Sequence, residues 1–585
     1  MEKRTLLALV LIMLIVMGSS VIRTMFFPVP ESEPAGPTES VLTTPDESYA
    51  HEDVVFTTTE NEFGLTEQTI VITTDHIRAT FTNNGGNMTG CELLDHIDTD
   101  TGKGIEMADN VSAFNRAHAV TLGGVDGTAL SGLFSVSQPD DYTVLFTKTI
   151  SVADTTGQMH DYVFGKRYTF LPDEYMYRLE ILIHSIDGAP ALDFAGAAYT
   201  LRTAPQMGPH YFARNRYEYR HFIGYDGRKV RRVPVGTNQF KEYEHDVQWI
   251  GIAGKYFEAL IVPEDPNIVY KKYYSSRIEV NDYANAQGFL VRKAYTGSDV
   301  HDTYYLYCGP CEEKQLIRYN NADNNGWQLS NRYLNSTLSS TWLAWLETIL
   351  KWIMQMLYKL VPNWGVSIIL MTVLLKLALF PLTRNQSMST LKMQAVQPRI
   401  QELQHKYKDN PQKLQEESAK LYKEAGINPM SGCLPLLFQF LIIFAMYHLF
   451  NNYFEFRGAS FIPGWIPDLS AGDKVYTFSR SIPVLGDQLH ILPIIYLASQ
   501  LLYGVITQNG GTAATNNGQM KFMMFGMPII FFFIFYTAPS GLLIYWTVSN
   551  VIQLLQQLII SRIMKNKKNA TPVDAVKPVI RSKRR

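Results

Sequence analysis

Between residues 364 and 563 the chain carries five long apolar runs, at 364–382, 434–450, 491–507, 522–537 and 541–563. Each is near the roughly 20 residues that a helix needs to cross the hydrocarbon core of a bilayer. Several contain Pro or Gly, which spanning helices tolerate better than soluble ones do. A chain with this pattern has to place its second half in a membrane. The 46% hydrophobic composition hides this division, because residues 54–335 read as an ordinary soluble domain. At 585 residues at least two folded units are expected. The net charge of -2 argues against a polyanion-binding protein overall, and four cysteines are too few for a disulfide scaffold.

A sixth run lies at the start. Lys3 and Arg4 precede an apolar stretch, Leu6 to Met17, with no convincing small-residue cleavage site after it. Residues 1–27 read as an uncleaved signal anchor, with a cleaved signal peptide as the alternative. Residues 28–53 are rich in Pro, Glu, Ser and Thr and read as a disordered linker.

From 54 to 335 the apolar pattern alternates. Thr69 to Ile72, Ile77 to Phe81, Tyr142 to Phe146, Lys166 to Phe170 and Tyr177 to Ile183 read as short strands. Turn signals such as Asn83-Asn84-Gly85-Gly86 separate them, and the spacing predicts an all-β sandwich. Cys308-Gly309-Pro310-Cys311 spells a thioredoxin-like motif, but it ends an all-β stretch where the redox fold requires a strand before it and a helix after it. A local disulfide between Cys308 and Cys311 is the better reading. No zinc-ligand spacing, nucleophile elbow or phosphate loop is present, so no cofactor is expected.

Residues 340–361 place Trp342, Trp345, Leu346, Ile349, Trp352, Ile353, Met356 and Leu360 on one helical stripe, with Glu347, Lys351, Gln355 and Lys359 away from it. A tryptophan-bearing amphipathic helix suits the membrane surface, and a helix packed on the β-domain is the alternative.

Charge orients the spans. With Lys3 and Arg4 in the cytoplasm, the β-domain lies outside, and residues 385–430 return to the cytoplasm with Arg399, Lys406, Lys413 and other cations. Apolar heptad-like positions there, broken at Asn410-Pro411, predict a helical hairpin: either a solvated linker or a docking platform. The basic tail, residues 564–585, with Lys565, Lys567, Lys568, Arg584 and Arg585, ends on the same side. Such a tail suits a polyanion such as the ribosome, or lipid headgroups.

Inside the first of the five runs sits Lys376, about two helical turns from the cytoplasmic face. An intramembrane cation at this depth is expensive and marks function, whereas snorkelling to the interface is the structural alternative. Thr372 lies one turn before it on the same face, and Gln439, Gln500, Ser549, Gln553, Gln556 and Gln557 add polar groups in or near other spans. Together they allow a hydrated groove, although a single glutamine more often bonds a neighbouring helix.

Five motifs then carry a resemblance: Asn363 to Ile369 (NWGVSII), Phe380 to Thr383 (FPLT), Asn428 to Leu437 (NPMSGCLPLL), Trp465 to Ser470 (WIPDLS) and Pro539 to Trp546 (PSGLLIYW). In order and extent they resemble the YidC/Oxa/Alb family of membrane insertases, in the Gram-negative form with a large periplasmic domain. The resemblance implies a periplasmic β-supersandwich related to mutarotase domains. It also implies six transmembrane helices, five of them forming the insertase core (362–563) around a groove open to cytoplasm and lipid. The family's groove cation, usually arginine, falls on Lys376. One of its two groove-side tyrosines falls on Tyr545, and the other is Trp546 here. The implied function is insertion and folding of nascent inner-membrane proteins, alone or with the Sec translocon, the ribosome and the signal recognition particle machinery. Membrane lipids surround it, with no covalent catalysis and no small-molecule substrate. Two rivals use the same residues: a secondary transporter built around Lys376, which lacks the repeated halves of such folds, and a tethered sugar-processing enzyme in the β-domain.

Overall fold

The computed structural model describes residues 56–58, 65–98, 101–108, 111, 116–125, 129–154, 156–186, 188–203, 219–234, 239–279, 283–338, 341–384, 396, 399–400, 402–408, 410–425, 434–482, 486–508 and 525–570. These fall into two compact units, one ending at residue 339 and the other beginning at residue 340.

The first unit is built from antiparallel sheets of ten, five and four strands. Strands form where the side chains alternate. In Ile77–Thr82 the residues Ile77, Ala79 and Phe81 are buried and Arg78 is exposed. The other predicted strands overlap Thr69–Thr73, Thr143–Ala153, Met159–Thr169 and Met176–Ser185, with Tyr142 and Phe170 falling one residue outside. Strands covered on both faces lose the alternation, and every residue of Trp249–Ala253, Phe257–Pro263 and Ala197–Arg202 is buried. Aromatic contacts join the sheets. Phe81 of the four-stranded sheet meets Tyr168 of the ten-stranded one at 4.6 Å between centroids, and Phe222 of the ten-stranded sheet stacks on Tyr274 of the five-stranded one at 5.2 Å.

The predicted turn at 83–86 is present, with Gly85 and Gly86 at φ +81° and +57°. A Cβ at Gly86 would lie 2.8 Å from Phe146 Cβ, so the sheets could not close over any other residue there. Fully buried Lys166 ties this turn down: its Nζ donates to Asn87 Oδ1 at 2.6 Å, His118 O at 2.8 Å and Gly85 O at 3.1 Å.

Cys308 and Cys311 do not meet, which corrects the local-disulfide reading. The strand Asp299–Pro310 stays extended through the Gly-Pro step, so the two residues stand about 10 Å apart along the chain, beyond the ~7 Å a disulfide spans. Cys308 points at Cys91, and Cys311 points at the Glu258 carboxylate.

The second unit is helical: α1 (Ala344–Leu360), α2 (Trp364–Ala378), α3 (Pro411–Glu424), α4 (Leu434–Asn452), α5 (Leu492–Gln508), α6 (Met527–Ile534) and α7 (Ser540–Ala570). Asn363 starts α2 by accepting the Val366 amide at 3.0 Å, and Asn410 starts α3 by accepting the Lys413 amide at 3.1 Å, at the break predicted from Asn410-Pro411. One helical turn breaks at Leu379, two residues before Pro381, and the chain resumes a helix at 380–384. Among the described residues Ser540–Ile560 alone is long and apolar enough to cross a membrane by that test; Trp364–Ala378, Leu441–Asn452 and Leu492–Ile506 are shorter apolar helices.

Candidate functional site

The polar residues of the apolar helices meet one another. Lys376, in the last turn of α2, is buried, and its Nζ donates to Gln553 Oε1 of α7 at 3.2 Å. Gln553 Nε2 in turn donates to Tyr503 Oη of α5 at 3.1 Å. One turn up α7, Asn550 Nδ2 donates to Ser499 Oγ of α5 at 3.0 Å. Gln500 Nε2 donates to Tyr496 Oη at 3.2 Å on the same helix. A hydrogen-bonded chain thus runs from a cation through an amide to a phenol across three helices. The spacing explains it, because residues 546, 550 and 553 fall on one face of α7, and residues 496, 499, 500 and 503 on one face of α5.

Lys376 makes no ion pair among the described residues, so its charge is balanced only by the dipole of a neutral amide. It turns inward to Gln553 rather than outward along the helix, which is not a snorkelling geometry. Thr372 is wholly buried, but its hydroxyl donates to Ile368 O at 2.7 Å, one turn back. Ser549 is buried, as is Tyr545, whose ring lies 5.9 Å from that of Phe450. Trp546 packs between Tyr496 at 5.5 Å and Phe535 at 4.7 Å, on the face of α7 that carries Asn550 and Gln553. Gln439 belongs to α4, but its side chain lies outside the described residues.

A second set of bonds closes one end of this unit. The buried Asp473 carboxylate accepts the amides of Ile491 and Leu492 at 2.8 and 2.9 Å, capping α5, and the Trp465 indole N–H at 3.1 Å. Gly541 N donates to Leu469 O at 2.9 Å, and Ser540 donates to Ala471 O through both its amide and its hydroxyl at 2.7 Å. Residues 459–473 are thereby tied to the starts of both α5 and α7. Asp473, Asn550, Ser499 and Tyr503 were not among the residues selected from sequence. The helical spacing of Asn550 from Trp546 and Gln553 was the available signal, and nothing marked Asp473 as a cap.

The tryptophan-bearing stripe of helix α1 faces outward. Trp342, just before it, is 75% exposed, and Trp345, Trp352 and Leu360 on it are 62%, 61% and 74% exposed. The polar face is engaged instead: Glu347 Oε2 pairs with His448 Nδ1 at 2.9 Å, Gln355 donates to Tyr453 Oη at 3.1 Å, and Lys351 lies over the Tyr453 ring at 5.2 Å. Leu350, Met354 and Leu357 are its buried residues, and a helix that buries these and still turns its tryptophans outward suits a surrounding of lipid.

Of the three cations selected between residues 385 and 430, Lys406 and Lys413 both lie over the Tyr407 ring, at 5.5 and 5.6 Å, while Arg399 is exposed. The backbone of Lys565, Lys567 and Lys568 continues α7, and Arg584 and Arg585 lie outside the described residues. No cluster that could hold a metal ion occurs among the described residues.

Comparison with known proteins gives one consistent answer. Residues 356–568 match the family described as 60Kd inner membrane protein, and residues 69–353 match the YidC periplasmic domain. The chain is 43% identical to the membrane protein insertase YidC of Treponema denticola over 97% of its own length and all of the relative's. It is 35% identical to that of Treponema pallidum, over 96% and 99% of the two chains. Among solved structures, an active YidC insertase with its first transmembrane domain resolved aligns over 93% of this chain and 98% of that one, at 18% identity and a TM-score of 0.35.

Proposed function

The chain belongs to the YidC family of inner-membrane protein insertases, which are not enzymes, and from that membership we propose how this member carries a client into the bilayer. A nascent apolar segment with a polar or acidic flank approaches from the cytoplasm, where the hairpin of residues 385–430 and the basic tail receive it. The flank enters a hydrated groove between α2, α5 and α7, drawn by Lys376. The apolar segment passes along the side that bears Tyr545 into lipid. Meeting the flank with a cation and fixed dipoles lowers the desolvation barrier that polar groups face in hydrocarbon. The free energy comes from partition of the apolar segment, so no nucleotide is needed.

One observation supports this reading above the others: Lys376 Nζ is buried against a neutral partner, Gln553, and so leaves its charge to be matched by an incoming anion. The tie of residues 459–473 to the starts of α5 and α7 supports a groove closed on the periplasmic side. The outward tryptophans of α1 support an interfacial position for that helix. The proposed topology has six spans, five of them in the core, with both termini cytoplasmic. The partners are the ribosome, the signal recognition particle machinery and, for some clients, the Sec translocon.

Purified full chain in liposomes should insert a single-span client, measured by protease protection, without taking up small solutes. A photo-crosslinker at position 545 should give adducts with stalled client chains. If insertion proceeds while position 545 yields no adduct at any chain length, the client takes another path.

A further inference from the structure

Two of the four cysteines face each other across the layers of the β-unit. Cys91 lies on Asn87–Ile97 in the four-stranded sheet, opposite Ala79, and Cys308 lies on Asp299–Pro310 in the ten-stranded sheet, opposite Ala259. Their Sγ atoms are 3.3 Å apart although 217 positions separate them in sequence. Both are buried, at 0% and 2% exposure, near the buried Tyr177. An unlinked thiol pair at this spot would offer only one weak S–H donor bond. No metal cluster explains the pairing among the described residues. The compartment adds an independent argument: this stretch matches the family's periplasmic domain, and the bacterial periplasm is kept oxidising.

We propose that Cys91 and Cys308 form a structural disulfide that staples the four-stranded sheet to the ten-stranded sheet. The oxidant is the disulfide of a periplasmic dithiol oxidoreductase. The thiolate of one cysteine attacks it, forming a mixed disulfide and expelling one of its sulfurs as a thiolate. The second cysteine then attacks the protein sulfur of the mixed disulfide and releases the other. Two S–H bonds become one S–S bond, and two electrons and two protons leave with the oxidoreductase as its dithiol. Burial sets the timing. In the folded unit the Cys308 hydrogen bond and desolvation push the Cys91 thiol well above its ordinary range, and no oxidant reaches it, so oxidation belongs to the folding chain before the sheets close. Cys311 takes no part, because its Sγ lies 3.6 Å from Glu258 Oε2.

The test uses the full chain expressed in a bacterium with an oxidising periplasm. Membranes are dissolved in denaturant with excess N-ethylmaleimide and no reductant, digested, and mapped by mass spectrometry. The expected result is a peptide pair linking Cys91 to Cys308, lost on adding dithiothreitol, with Cys311 alkylated. The pair should persist in Cys311→Ala and vanish in Cys308→Ala, with Cys91 then alkylated. Stoichiometric alkylation of both Cys91 and Cys308 in the parent, or a Cys308–Cys311 link, would overturn the proposal.

Discussion

Glu258 is a carboxyl group enclosed by the β-unit, accepting the Thr337 hydroxyl at 3.1 Å and the Cys311 thiol. Burial outweighs those bonds and pushes its pKa up to about 8, against 4.5 for the exposed side chain. The folded chain therefore holds a proton that the unfolded chain has lost, and this group's contribution to stability declines as pH rises from about 4.5 to about 8. His118, held down to about 3 by burial and by Lys166, acts in the opposite sense up to about 6.5, and Lys166, itself lowered by burial, also opposes. Comparison with Glu258→Gln isolates the carboxyl group, because glutamine keeps the shape and accepts from Thr337. The unfolding temperature of the variant minus that of the parent should grow between about pH 5 and about pH 8; a constant difference would mean that Glu258 is ionised in the fold. A second residue-scale test concerns the partner of Lys376. Gln553→Glu places an anion beside Lys376, and should depress insertion of acidic-flank clients while the protein still folds; undiminished insertion would show that the lysine charge need not be free. The cysteines show where sequence falls short at this scale. Cys308-x-x-Cys311 is conspicuous in the chain, yet the true neighbour, Cys91, is 217 positions away and is chosen by the stacking of two sheets.

The elements themselves were largely legible. Alternation located the five predicted strands, and the 3.6-residue period located α1 with its tryptophans on one face. Which face is covered could not be read, since an apolar stripe normally predicts burial. The structure engages the polar face through Glu347, Gln355 and Lys351 and leaves the tryptophans outward. In liposomes containing brominated lipids, fluorescence from Trp345 and Trp352 should be quenched, as judged against variants in which each is replaced by phenylalanine. An unquenched pair would place α1 against protein or in water. The start of α5 makes a separate prediction. Asp473→Ala removes a carboxylate that holds two helix-start amides and the Trp465 indole, and should lower stability by about 1–3 kcal/mol, measured as earlier unfolding of the detergent-solubilised chain. No loss would mean that water replaces the cap. Asp473 was illegible because its helix begins 19 residues later in the chain.

Across the whole molecule, the division at residues 339 and 340 follows the shift from period-two to long apolar patterning, and the orientation proposed above rests on charge asymmetry. The polar chain behind the proposed groove was only half legible: Lys376 stood out as a cation in an apolar run, but Gln553 and Tyr503 are brought to it by the packing of α2, α5 and α7. The basic tail predicts a link beyond the membrane. Deleting residues 565–585 should weaken cosedimentation with translating ribosomes at moderate salt, and unchanged binding would leave the tail as a topology signal. The central claim, that the charge of Lys376 draws an anionic flank into the groove, is tested most directly by protease protection of two single-span clients that differ only in flank charge. With expression matched, Lys376→Arg should insert both, whereas Lys376→Glu should lose the acidic-flank client and largely keep the neutral one. If Lys376→Glu inserts the acidic-flank client as well as the parent does, the groove cation does not act on the client, and Lys376 is a structural partner of Gln553.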